Sequence, residues 1–234
     1  RSFMLYLGFF SILLAAGLYF FVKNPEKSES LDKGSFFELF KIRQLWFILP
    51  LVLIHYAPVA GIRGLWIGPY INDNFYSASN LAFATTAMSL AMIAGTFSYG
   101  PLDRIFRTRK WIIFIGSSVS LVSLICLALL NEISFGVAVV LFCTLGFFGM
   151  SYPLMIAHGR SFSPENLTGR CVTLLNMFAI GGVGIFQFLT GKIFRKLTEF
   201  PDNTQEAYTT IFLFYAASLF LGLVLYLKAK DSLD

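Results

Sequence analysis

Charged residues are scarce in this sequence. Only 13% of the 234 residues are Asp, Glu, Lys or Arg, whereas 56% are hydrophobic. Soluble domains carry roughly 25% charged residues, so this chain has too few to cover a water-exposed surface of its size. The composition therefore excludes a soluble globular domain. It predicts an all-α polytopic membrane protein, because lipid accepts an apolar outer surface and every backbone group in lipid must be satisfied internally.

Residues that carry catalysis or bind metals are also rare. There are two histidines, and the three cysteines form no CxxC or Cys/His metal spacing. The apolar segments contain no Ser–His pair with an orienting acid and no paired carboxylates, and the sequence has no phosphate-binding loop. We therefore predict that the chain is not an enzyme, and we assign it no catalytic residue, metal or cofactor.

The net charge of +5 could indicate a nucleic-acid partner. The basic residues lie in short segments between apolar stretches, however, where they are typical topology signals rather than a binding surface. We therefore predict no nucleic-acid partner and expect the lipid bilayer as the main surrounding of the chain.

Seven segments are apolar over about 20 residues or more, the length that crosses the hydrocarbon core. Arg63 is the one Asp, Glu, Lys or Arg inside them. The predicted transmembrane helices are Phe3–Val22, Leu45–Ile71, Ala78–Tyr99, Trp111–Leu130, Ile133–Ala157, Cys171–Gly191 and Tyr208–Leu227.

Basic residues are distributed unequally between the two sides of these spans. One side has 13 and the other has four, and Arg63 completes the 18. Because basic loops stay in the cytoplasm, the first side is predicted to be cytoplasmic, with the C-terminus inside and the N-terminus outside a plasma or bacterial inner membrane. The 13 are Lys23, Lys27, Lys33, Lys41, Arg43, Arg104, Arg107, Arg109, Lys110, Arg160, Arg170, Lys228 and Lys230, and the four are Arg1, Lys192, Arg195 and Lys196.

The first span is separated from the other six by a long polar segment, residues 23–44. Its second part mixes aromatic and basic residues and predicts a short helix at the membrane interface. Because Arg1 opens directly onto an apolar span, we expect the chain to be a piece of something longer. The predicted organisation is a last helix of a missing N-terminal half at 1–22, a central cytoplasmic loop at 23–44 and a six-helix unit at 45–234.

A motif follows the third span. Gly100, Pro101, Leu102, Asp103 and Arg104 are followed by Arg107, Arg109 and Lys110. This resembles the cytoplasmic signature Gly-x-Leu-x-Asp-Arg-x-Gly-Arg-Arg/Lys of the major facilitator superfamily. Tyr99 holds the place of the first glycine, with Gly100 one residue later, and Phe106 replaces the second glycine. In that family the signature joins the second and third helices of each six-helix half, which is its position here. The resemblance implies a cytoplasmic gating role for Gly100, Asp103, Arg104, Arg107, Arg109 and Lys110.

A second resemblance lies at Pro164–Arg170, which runs into a glycine-rich helix like that in the penultimate hairpin of facilitator transporters. The two resemblances together imply helices six to twelve of a twelve-helix carrier. The last six would form two three-helix inverted repeats, one half of an alternating-access transporter of a small polar solute. A non-transporting subunit, a receptor-like or assembly protein, and a truncated transporter remnant remain the alternatives.

We predict that the second span lines the solute pathway, because Pro and Gly interrupt it and discontinuous helices form transporter binding sites. Projected at about 100° per residue, its polar and aromatic side chains share a face about 100° wide. Arg63 would attract an anionic group of the solute, although it could instead reach the outer interface or pair with a carboxylate elsewhere. In the sixth span, polar side chains could face a cavity or hydrogen-bond to a neighbouring helix, and the glycines there predict close helix packing. The predicted pathway residues are His55, Tyr56, Val59, Arg63, Trp66, Tyr70, Asn176 and Gln187.

Overall fold

The computed structural model describes residues 2–22, 35–130, 133–199 and 203–233, and this part of the chain contains helices and connecting turns but no strand. Residues 2–22 belong to one compact unit and residues 35–233 to a second. In the first unit, helix α1 (Ser2–Phe21) is apolar along its whole length and none of its side chains is buried.

The second unit contains six spans. Several are made of more than one element. Their order is α2 (Arg43–Gly61), a π-helical turn (Ile62–Trp66), α3 (Ile67–Phe75), α4 (Ala78–Phe106), α5 (Lys110–Leu129), α6 (Phe135–Gly149), α7 (Tyr152–Arg160), α8 (Thr168–Leu197) and α9 (Thr204–Tyr226). Short 3-10 helices precede α2 at Phe36–Lys41 and α8 at Glu165–Leu167.

All seven predicted spans are confirmed as helices long and apolar enough to cross a membrane. Several helices extend beyond the predicted limits at their polar ends. A span predicted from hydropathy ends at the first charged residues, whereas the backbone hydrogen bonds of the helix continue past them. The clearest case is α4. The residues that follow the predicted span, from Gly100 onward, are helical as far as Phe106, and Arg107 then ends the helix in the left-handed region with φ 51°.

The six spans form two interlocked repeats of three, as the family resemblance implied. The first repeat contains α2–α3, α4 and α5, and the second contains α6–α7, α8 and α9. The first span of each repeat packs on the second span of the other, α2 on α8 and α6 on α4. The first span of each repeat also packs on the third span of the other repeat, α2 on α9 and α6 on α5. This exchange of contacts is the pattern expected for pseudo-two-fold repeats.

Glycine allows the two closest of these approaches. A Cβ atom at Gly182 of α8 would collide with the backbone carbonyl of Leu53 in α2. In the other repeat, a Cβ at Gly95 of α4 would collide with the carbonyl of Phe147 in α6. Small residues let helix backbones approach in this way where the hydrophobic effect gives no drive. The predicted close packing of α8 therefore occurs at Gly182. Gly184 and Gly191 do not provide it, because a Cβ atom at either position would meet no neighbouring helix within 4 Å.

The contacts of the C-terminal segment identify one end of the unit. The Lys230 amide donates to Gln44 at the start of α2, and the Lys230 carbonyl lies 3.0 Å from Nε2 of His158 at the end of α7. Asp231 accepts from Thr108 between α4 and α5. We call this the basic end, because most of the described basic residues predicted to be cytoplasmic lie in these segments.

Candidate functional site

The second span is continuous but irregular. Its π-helical turn closes hydrogen bonds one residue further than an α-helix does, and such turns are frequent at functional sites. Pro58 removes one backbone donor just before it, and Gly61 and Gly64 reduce the steric cost of the wider turn. The turn leaves Arg63 and Gly64 exposed, so it presents a cation on an otherwise apolar span.

An arginine cluster forms around this turn. The Nε–H of Arg63 donates to Oγ of Ser89 in α4 at 2.8 Å, and Ser89 in turn donates to the Thr85 carbonyl at 2.7 Å. The side-chain amide of Gln187 in α8 lies beside Gly64, so that a Cβ atom at position 64 would be 3.8 Å from its Nε2. Within the described residues, the one ion pair lies elsewhere, between Asp103 and Arg109. The other guanidinium donors of Arg63 are therefore available to a ligand.

A tyrosine cluster lies further along the same spans. The rings of Tyr56 in α2 and Tyr152 in α7 are stacked, with centroids 5.2 Å apart and planes at 25°. The Tyr152 hydroxyl donates to Oδ1 of Asn176 in α8, and the Asn176 amide donates to the Val172 carbonyl at 3.0 Å. The three cluster side chains are half-buried, so each has a face that is open.

The two clusters are separated along the helices. Tyr56 and Arg63 are seven residues apart, which is about 10 Å at the rise of an α-helix, and Asn176 and Gln187 are eleven apart, about 16 Å. Together the clusters draw on α2 with its π turn, α4, α7 and α8, and neither takes a residue from α5 or α9. Each cluster offers hydrogen-bond donors and acceptors from three different helices.

The other predicted pathway residues of the second span point into the unit. His55, Val59, Trp66 and Tyr70 are all less than 7% exposed. The Trp66 indole donates to Thr190 of α8 at 3.2 Å, and the Tyr70 ring packs edge-on against aromatic rings of α6 and α9. On the predicted face, Tyr56 and Arg63 are therefore accessible, and the other four side chains are buried. A role of the buried four in the pathway stays a prediction.

His55 has a structural task that follows from Pro153. In a continuous helix, the Gly149 carbonyl would accept from the amide of residue 153, but proline has no N–H. The Nε2 atom of His55 lies 3.1 Å from this carbonyl. A carbonyl only accepts, so Nε2 carries the hydrogen and donates. Nε2 also lies 2.9 Å from Oγ of Ser151, and Nδ1 lies 3.0 Å from Oγ of Ser117 in α5.

This buried histidine therefore fixes the break between α6 and α7. It links α2 and α5 to both residues that flank the break, Gly149 and Ser151. Tyr152 is the first residue of α7, so the same contacts set the direction in which its ring leaves the backbone. The sequence analysis missed Tyr152, because hydropathy joined α6 and α7 into one span. The signal that was present is Pro153 following Gly149 inside an apolar stretch.

The gating signature lies at the basic end. Its residues from Gly100 to Arg109 surround one cavity of about 480 Å³, which Leu233 also lines. Asp103 pairs with Nε of Arg109 at 3.1 Å, and the Arg109 guanidinium reaches Oγ of Ser232 at 3.5 Å. Lys110 begins α5 and donates to the Leu227 carbonyl at 2.8 Å. Within the described residues, Asp103 therefore pairs with Arg109, a residue of the turn between α4 and α5. A gating function of this pair stays a prediction.

Asp231 caps α5 from outside that helix. Its carboxylate accepts from the hydroxyl of Thr108 and from the backbone amides of Arg109, at 3.1 Å, and Lys110, at 3.4 Å. These are donors that a helix N-terminus leaves unsatisfied. Partial burial acts to raise the pKa of Asp231, but the hydrogen bonds from Thr108, Arg109, Ser232 and Lys110 outweigh it, and the pKa lies below its ordinary value.

No metal site accompanies these groups. Nowhere in residues 2–22, 35–130, 133–199 and 203–233 do three His, Cys, Asp or Glu side chains come close enough to hold a metal ion.

Replacing His55 tests its role at the break. We expect His55→Leu to lower the free energy of unfolding by about 1–3 kcal/mol, because it leaves the Gly149 carbonyl buried without a donor. His55→Gln should lose less, since its amide can still donate. Melting temperatures of the purified chain in one detergent measure both. Equal stability of the two variants would show that His55 contributes only volume.

Low pH should remove the stabilisation that the Asp231 carboxylate gives to the folded chain. A carboxylate with a depressed folded-state pKa stabilises fully above its unfolded pKa, about 3.9, and loses this effect as pH falls through the folded pKa. We therefore expect Asp231→Asn to melt at a lower temperature than the parent chain at pH 7, and the difference to close below about pH 4. Glu206→Gln, an exposed carboxylate near the opposite end, is the control. A difference that persists at low pH would assign the effect to shape rather than charge.

A family model described as Major Facilitator Superfamily matches residues 61–233, which cover the π turn, both clusters except Tyr56, and the gating signature. The search of curated proteins found no match.

Proposed function

Because this chain belongs to the major facilitator superfamily, it is a membrane transporter, and we propose that its six-span unit moves a small polar solute by alternating access. The observation that carries this proposal is the pair of polar clusters on α2, α4, α7 and α8. These clusters place a cation, amides and tyrosine hydroxyls from both repeats on spans that would otherwise be apolar. Polar groups are costly in a membrane and mark solute paths when they face a cavity.

The chemistry of the clusters favours a solute with an anionic group. Arg63 keeps free guanidinium donors in a geometry that suits a carboxylate or phosphate. The stacked pair of Tyr56 and Tyr152 offers an aromatic face and a hydroxyl, and Asn176 offers an amide edge. An anion held at Arg63 would therefore have its neutral part directed along the helices toward the tyrosine cluster.

We propose that a second six-helix unit faces these clusters, in keeping with the missing N-terminal half expected from the sequence. Among the six spans, α4 and α8 are the least buried, and both contribute to the arginine cluster. A partner on this side would turn an open face into a path between two units. Rocking of one unit against the other would then expose the clusters to each side in turn.

The basic end is proposed to lie in the cytoplasm of cells that carry this transporter in their plasma or inner membrane. The support is the concentration of Arg and Lys in its turns. At this end, the Asp103–Arg109 pair would act as part of a gate, since it ties the turn between α4 and α5 to the C-terminal segment through Ser232.

The alternatives differ from a carrier in one respect. A receptor-like, assembly or remnant protein needs no water-accessible polar clusters, so side chains around α2 would react with water-soluble reagents according to lipid and protein packing alone. Solvent access at the clusters, and its block by a solute, therefore distinguishes transport from these roles.

Cysteine labelling and transport together test the carrier proposal. On a full-length transporter without Cys126, Cys143 and Cys171, single cysteines at positions 56, 63 and 176 should react with a water-soluble thiol reagent. Cysteines at positions 59 and 66 should react at least about tenfold more slowly, because these residues are buried. Equal labelling at all five positions would remove the pathway from this face.

In proteoliposomes, a panel of anionic and neutral solutes should reveal saturable uptake. Arg63→Ala should then raise KM for an anionic solute by about tenfold or more, the value of one lost charged hydrogen bond, and Arg63→Lys should raise it less. Arg195→Ala, a cation at the end of α8, is the control. Normal uptake by Arg63→Ala would exclude the anion site while leaving transport itself intact.

The gate is tested separately. Asp103→Asn in the full-length transporter should shift spin labels placed on the basic ends of the two units toward longer distances and slow transport, because the ion pair with Arg109 is lost. Expression and melting temperature should change little, since the pair is partly exposed. Unchanged distances with normal transport would leave Asp103 as a topology charge.

A further inference from the structure

The basic end contains two adjoining cavities that neither cluster uses. A cavity of about 530 Å³ opens between the start of α5 and the end of α9. Three lysines line it, Lys110, Lys228 and Lys230, together with Trp111 and Leu227. Basic pockets at a membrane surface bind the phosphate groups of anionic lipid headgroups.

The acid in this cavity does not neutralise the lysines. Asp231 directs its oxygens to the Thr108 hydroxyl and to backbone amides, as described above. Lys110 is positioned by the Leu227 carbonyl and lies over the Trp111 ring at 5.4 Å. Lys228 and Lys230 are exposed, and no ion pair within the described residues involves either of them.

An apolar groove continues from the same tryptophan. This second cavity, about 300 Å³, lies between α4 and α5 and is lined by Trp111, Phe106, Ile112 and Ile115 among other residues. Trp111 is 50% exposed and borders both cavities. Tryptophan at this position is typical of the boundary between headgroups and acyl chains. The groove runs from this boundary along α5 toward the membrane interior, so it has the place and the polarity of an acyl chain.

We propose that these adjoining cavities bind one anionic phospholipid, such as phosphatidylglycerol. Its phosphate lies among Lys110, Lys228 and Lys230, and one acyl chain lies in the groove beyond Trp111. Free phosphate shares the headgroup chemistry, but it would leave the apolar groove unused. The lipid therefore accounts for both cavities and for the tryptophan between them.

Binding of this lipid would act on the turn between α4 and α5, which carries the gating signature. The cavity is bounded by Lys110 and Asp231, and Asp231 caps α5 next to Arg109, the partner of Asp103. A phosphate held by Lys228 and Lys230 would hold the C-terminal segment against the turn between α4 and α5. The lipid site is thus coupled to the turn by two shared residues rather than by distance alone.

Quenching of Trp111 fluorescence tests the proposal in nanodiscs that contain the chain and lipids with brominated acyl chains. The Trp111 signal is the difference between the parent chain and Trp111→Phe. Brominated phosphatidylglycerol should quench it at a lower mole fraction than brominated phosphatidylcholine. Replacing Lys228 and Lys230 by Gln should weaken this preference by about 25-fold, at about fivefold for each lysine.

Three controls make the result decisive. Lys228→Arg with Lys230→Arg should keep the preference, which also shows that the segment folds. Lys192→Gln with Lys196→Gln removes two lysines from the end of α8 and should leave it unchanged. Inorganic phosphate at millimolar concentration should fail to displace the lipid. Equal quenching by the two lipids, an equal loss in the Lys192 and Lys196 variant, or full displacement by phosphate would each overturn the assignment.

Discussion

The hydrogen bond from His55 to the Gly149 carbonyl is the interaction on which the arrangement of this unit depends. Pro153 makes a continuous helix across α6 and α7 impossible without an orphan carbonyl. Water would satisfy that carbonyl in a soluble protein, but a membrane interior does not, so the donor must come from the protein. A histidine of α2 supplies it, and one polar contact thereby sets the position of α7 and the stacking of Tyr152 on Tyr56.

The three spans of each repeat have different roles. The third span of each, α5 and α9, packs against the first span of the other repeat and contributes to neither polar cluster. The first and second spans bring the polar groups together, and both first spans are irregular. One contains a π turn and the other breaks at Gly149. Close approach at Gly95 and Gly182 holds the spans near enough for the side chains to meet.

Hydropathy was sufficient to predict the seven spans, because a bilayer demands apolar length and little else. The family resemblance predicted the interlocked repeats. The residues of its signature lie at the basic end, where their gating role stays a prediction. Sequence periodicity failed at finer detail. The projection used one angle per residue along the whole second span, although the structure has a wider turn at Ile62–Trp66. It also gave no reason to separate the buried His55 and Trp66 from the exposed Arg63. The sequence analysis missed Tyr152, because its position depends on the break between α6 and α7, which average hydropathy does not detect.

The exchange of contacts between repeats also imposes an order in time. His55 and Gly149 are 94 residues apart in the chain. At about 5–20 residues per second, a ribosome needs about 5–20 seconds to synthesise that interval. During this period α2 is in the bilayer with an imidazole whose partner on α6 does not yet exist, and its later neighbours α8 and α9 are also missing. The first repeat therefore stays partly assembled for this interval, with polar groups that can pair with the wrong helix until the second repeat is synthesised.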